Sequence, residues 1–143
     1  MTSDDERPSV KRLATAFALV SALVLGLGAV ALSAPPLQAP TLSVVSTTVQ
    51  PSGYGPRYDR VTTTLQWTSV PGAATYSLCY SRPSLKLGCE LGIKKTTYTL
   101  TQSILKGATY RIWVRACPAG TSPSAQAQGD ACATSNTVSA TAP

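Results

Sequence analysis

Cys79, Cys89, Cys117 and Cys132 are the only thiols in this chain of 143 residues, and it contains no histidine. Without imidazole there is no Ser-His-Asp or Cys-His catalytic set, no Cys/His zinc finger and no His-ligated metal centre. A site of four thiolates is the remaining metal chemistry, but no CxxC spacing supports it. An even cysteine count in a small exported domain reads instead as a disulfide framework. Of the three possible pairings we expect sequence neighbours to join, Cys79 with Cys89 and Cys117 with Cys132, because each bond closes a short loop between adjacent strands. Carboxylates are as scarce. Beyond residue 34 they are Asp59, Glu90 and Asp130, whereas glycoside hydrolysis needs two that face each other at a defined separation. Glu90 stands beside one expected disulfide and Asp130 inside the loop closed by the other. No enzyme activity, cofactor or metal is expected.

Two clusters offer binding chemistry. In Tyr110-Arg-Ile112-Trp-Val114-Arg-Ala116 the apolar residues alternate strictly. If they face a core, Arg111, Trp113 and Arg115 project together from the opposite face. A tryptophan between two arginines can stack on a sugar ring, meet an acidic polymer or anchor a protein interface. It can equally be surface cover, the arginine stems packed over the indole. The second cluster, Tyr54, Arg57 and Tyr58, lies in Gly53-Tyr-Gly-Pro-Arg-Tyr-Asp-Arg60, where the glycines and proline also suit a plain turn. Lys94-Lys95 reads as a solvated charge pair that blunts an edge strand. Residues 35–143 hold 9 basic and 3 acidic residues, a net +6. That charge favours acidic polysaccharides and anionic surfaces in a salt-dependent way; nucleic acid is not expected.

The elements that must position these residues are strands. Residues 35–143 contain 29 Ser plus Thr and no sustained helical periodicity. Alternation places strands at Thr41–Ser46, Val61–Trp67, Tyr76–Tyr80, Cys89–Ile93, Thr97–Leu100, Tyr110–Ala116 and Asn136–Ala140. Seven short strands in this length predict an all-β antiparallel sandwich of Greek-key type. Ahead of it, 17 of the 22 residues Leu13–Ala34 are apolar and none is charged. Preceded by Lys11-Arg12 and containing Ala29-Val30-Ala31, this run predicts a signal peptide or an uncleaved signal-anchor helix over 1–34. Either way residues 35–143 lie outside the cell. A Pro-rich linker over 35–40 then leads into a domain over 41–143.

The landmarks of that domain resemble a fibronectin type III domain, an immunoglobulin-like sandwich of seven strands. The resemblance rests on Leu65-x-Trp67, Pro71, Ala74-x-Tyr76-x-Leu78-x-Tyr80, Thr97-Tyr98, Leu105-Lys-Gly-Ala-Thr-Tyr110-x-Ile112-x-Val114-x-Ala116 and Ser135-Asn136-x-Val138-x-Ala140. It implies a core built on Trp67, Tyr76, Leu105 and Tyr110, with the Tyr110 hydroxyl bonded to upstream backbone in a tyrosine corner. Two features depart from the family: the disulfides, and a long connection over Thr47–Arg60 between the first two strands. The long loop Pro118–Ala131 stands where the family places a recognition loop. The resemblance implies a secreted or surface-anchored module for binding or adhesion, with a protein or polysaccharide as partner. The alternative is a surface-filament subunit whose retained apolar helix drives self-association. Leu13 after the basic pair, and Phe17 where many pilins carry Glu, count against that alternative.

Overall fold

The strict alternation of β2 (Tyr58–Trp67) and β6 (Thr109–Cys117) divides each strand into a buried and an exposed row, and these rows face each other. From β2 come Val61, Thr63, Leu65 and Trp67; from β6 come Tyr110, Ile112, Val114 and Ala116. A computed structural model describes residues 35–82 and 85–143; the apolar segment 1–34, expected to be a signal or anchor helix, lies outside the described residues. Around β2 and β6 two antiparallel sheets assemble. One has the order β1-β2-β5, with β1 at Leu42–Pro51 and β5 at Thr97–Leu105. The other runs β4-β3-β6, with β3 at Thr75–Arg82 and β4 at Leu85–Ile93; the short strands β7 (Ala133–Thr134) and β8 (Val138–Thr141) both pair with β6. Side chains from both sheets share one apolar core, so the molecule is an all-β antiparallel sandwich.

Trp67 is 3 % exposed and packs against Tyr76 with ring centres 5.6 Å apart and planes tilted by 60°; the Tyr76 hydroxyl accepts from the Val70 N–H at 2.9 Å. Tyr110 is fully buried. Its hydroxyl shares a 2.9 Å hydrogen bond with Thr63 Oγ1 on the facing sheet. The expected backbone partner is therefore replaced by a side chain that joins the two sheets. Leu105 departs from the core expectation. It lies at the end of β5 opposite Tyr58, on the outer face, and is 43 % exposed.

Three elements differ from the sequence reading. The long first connection is mostly strand: β1 pairs with β2 out to Pro51–Asp59, leaving only residues 52–57 as the turn. The final strand is split. Ser135 satisfies Val114 through both its N–H and its hydroxyl oxygen. Asn136 then turns away and clamps the Leu42 backbone, its Oδ1 accepting from the N–H at 2.8 Å and its Nδ2 donating to the carbonyl at 3.0 Å. Among the described residues eight strands result where seven were expected. The loop after β6 contains a helix, α1 (Pro123–Gln128). Ser122 caps its N-terminus and Pro123 starts it, as their chemistry favours. Gly129 ends it with φ 87°.

Candidate functional site

The disulfides form as sequence neighbours. Cys79–Cys89 joins directly opposite residues of β3 and β4, and Cys117–Cys132 closes the loop that carries α1. All four sulfurs are thus engaged, which removes the four-thiolate metal alternative. Two disulfides imply an oxidising compartment.

The outward trio of β6 is divided by α1, which lies over the outer face of β3 and β4 instead of projecting as a free loop. Arg115 is covered by it. Its Nη1 donates to the carbonyls of Gln126 and Ala127 at the helix C-terminus, where a cation meets the negative end of the aligned peptide dipoles. Burial lowers the Arg115 pKa from its usual range, and the charge of Asp130 opposes that shift. The guanidinium also sits 5.9 Å from the Trp113 ring. Trp113 is half-buried, opposite Cys79. Trp113 and Arg115 therefore form packed cover, and of the three only Arg111 is free on the surface.

Arg111 belongs to a different constellation, which sequence reasoning missed because its centre is Arg82. At the tip of the β1–β2 hairpin, Ser52 donates its N–H to the Tyr58 carbonyl and Tyr58 donates to the Gly55 carbonyl, both at 3.1 Å. Gly55 adopts φ 119°, a conformation that side chains resist, and open space surrounds it. This tight turn presents Tyr54, 79 % exposed, and Tyr58, 38 % exposed. Ser52 Oγ fixes the turn to β5 by donating to Ser103 Oγ at 3.1 Å. The Ser103 carbonyl in turn accepts from Arg82 Nη1 at 3.4 Å, and the Arg82 guanidinium lies 6.0 Å from the Tyr80 ring. Tyr54, Tyr58, Arg82, Thr101, Gln102 and Ser103 line an open cleft of about 580 Å³. Arg82 and Arg111 also line an adjoining cleft of about 420 Å³ with Ser81 and Thr109.

Arg82 is under-partnered. A guanidinium has five N–H donors; among the described residues this one makes a single hydrogen bond, and its Nε is buried without a partner. No carboxylate lines either cleft. Two of the described acidic residues face other cations: Asp59 is buried 3.9 Å from Lys106 Nζ, and Asp130 stands near Arg115. Arg57, the third expected member of the hairpin cluster, contributes its carbonyl to the Lys106 N–H but lines neither cleft. A further cleft of about 560 Å³ lies between β4 and β5 around Lys94, Lys95 and Tyr98. There the tyrosine pKa is raised, first by burial and then by the charge of Glu90 and a hydrogen bond to it. Glu90 acts on Tyr98 but does not itself line this cleft.

The chemistry of the Arg82 cleft is therefore cationic and aromatic, with hydroxyl and amide groups between. No protein family, curated protein or solved structure matches the chain.

Proposed function

We propose that this chain is an exported, non-enzymatic binding module of fibronectin type III layout, which attaches to a surface or matrix polymer through the Tyr54–Tyr58–Arg82 cleft. Two antiparallel sheets, β1-β2-β5 and β4-β3-β6 with the last strands on β6, support the sandwich part of that reading. Both disulfides support action outside the cell, where thiols oxidise and proteases attack frayed loops. The observation that carries the reading is an under-partnered arginine in a cleft walled by two tyrosines. Such aromatic and arginine groups concentrate binding free energy. The test is co-sedimentation of the purified protein with cell-envelope material from its own cells. Retention that Tyr54→Ala abolishes is the expected outcome, and failure to sediment sinks the binding reading.

The second reading, a filament subunit, is favoured by one observation. β1 is a ten-residue edge strand with Val44, Val45 and Val49 exposed, an edge able to pair with another chain. Mass spectrometry of the native protein separates the two. A mature N-terminus near Leu32–Pro35 supports secretion, one at Leu13 supports a filament subunit, and an intact Met1 supports a membrane anchor.

A further inference from the structure

We infer that the Arg82 cleft takes an anionic pyranose, a sugar ring bearing a carboxylate or sulfate, within an acidic polysaccharide. The inference rests on the binding-module reading and names its ligand.

Four observations carry it. Arg82 is a planar, permanently charged fork that among the described residues commits one donor, to the Ser103 carbonyl, and charged oxygens in a planar or tetrahedral anion are the partners that the Nη edge of such a fork meets with paired hydrogen bonds. Tyr54 and Tyr58 supply exposed rings that can lie against the apolar C–H face of a sugar. Thr101, Gln102 and Ser103 supply the neutral donors and acceptors that sugar hydroxyls require. The volume of about 580 Å³ falls within the usual range for small-ligand sites.

The polymeric nature of the ligand follows from the adjoining cleft. Arg82 is shared by both walls, and Arg111 stands opposite Ser81 in the β3–β6 register. A chain of sugars running from one cleft into the other therefore passes Arg82 and then Arg111, with no described carboxylate on either wall to repel it.

The experiment is isothermal titration of the full exported protein with three oligosaccharide sets of matched length: galacturonate oligomers, sulfated galactose oligomers and neutral galactose oligomers. At least one anionic set is expected to bind about tenfold or more tightly than the neutral set. Arg82→Gln is expected to remove that preference, and Tyr54→Ala to weaken every set that binds. Arg111→Gln is expected to weaken longer oligomers while sparing the shortest. Tyr54 is exposed enough that its variant reports on binding even if Arg82→Gln lowers stability. The two anionic arms distinguish carboxylate from sulfate. Equal affinity for neutral and anionic sets overturns the ligand class. Anionic binding untouched by both Arg82→Gln and Tyr54→Ala overturns the site, since the net charge alone would then explain it. Envelope retention with no binding to any of the three sets overturns this inference and leaves the binding-module reading standing.

Discussion

Arg115 and Tyr110 illustrate two ways in which a polar group earns a place inside this sandwich. Arg115 uses its charge: one nitrogen meets two carbonyls at the end of α1, and Gly129 leaves the room for it. A Cβ at Gly129 would stand 2.9 Å from the guanidinium carbon, so the close approach depends on glycine. Arg115→Ala should destabilise the protein by about 1.5–3 kcal/mol, the range for a hydrogen bond to a charged group. Thermal unfolding checks this, and an unchanged Tm would show that the contact contributes nothing net. Tyr110 uses its hydroxyl to satisfy Thr63. Burial raises the Tyr110 pKa, while the Thr63 hydrogen bond opposes that shift. The folded state therefore holds the phenolic proton more tightly than the unfolded chain, in which it leaves near pH 10. Stability is then complete below pH ~10 and falls as pH rises beyond it. Tyr98, also raised, adds to the same decline. Tyr110→Phe should lower stability at pH 7 by about 1–3 kcal/mol through the orphaned Thr63 hydroxyl. Its alkaline decline should be shallower than that of the parent, measured by denaturant melts between pH 8 and 11.

Among the elements, α1 depends most on its surroundings. Six residues cannot hold a helix alone. Its support comes from the Ser122 cap, from Arg115, from the Ser77 hydroxyl donating to the Gln126 carbonyl, and from the Cys117–Cys132 closure. Replacing both cysteines by serine should cost about 3 kcal/mol, as expected for a loop near 15 residues. Hydrogen exchange at Gln126 and Gly129, whose amides donate to Ser122 and Ala125, should then speed up before exchange in β6 does. Uniform acceleration across both would show that the loop and the sheet unfold together.

The same elements show why some of the fold was legible and some was not. β2 and β6 were readable because burial alternates along each, which forces apolar and polar residues to alternate. β1 was read short because only Leu42 in it is buried, so Val44–Pro51 carries no amphipathic signal. α1 lacked the length for periodicity, although Ser122-Pro123 and Gly129 were available as start and stop signals. Leu105 was misassigned for a geometric reason. β5 continues through Ile104, which turns inward, and its neighbour must therefore turn outward.

At the scale of the whole molecule, the candidate site is assembled from three separate parts of the chain: the β1–β2 turn, the end of β3 and the middle of β5. Tyr54 and Tyr58 could be named in advance because a turn exposes its side chains. Arg82 could not, since its value comes from Ser103, which is 21 residues away and on the facing sheet. For Trp113 and Arg115 the converse holds. Alternation gives the face on which a residue lies and cannot show that α1 will cover it.

Both cross-links lie within the second sheet and its loop, spanning 10 and 15 residues; neither reaches β1, β2 or β5. Under mechanical tension the molecule is therefore asymmetric. The first sheet is held to its partner only by the apolar core and by contacts such as Thr63–Tyr110 and Leu42–Asn136, so it can extend fully. The second retains two covalent knots that withhold slack. Reduction should lengthen the extended chain by about 80 Å, at roughly 3.3–3.6 Å for each released residue. Single-molecule stretching with and without reductant measures that increment. For a protein tethered to a surface under flow, the knots set a maximum reach that rupture of every weak contact leaves in place.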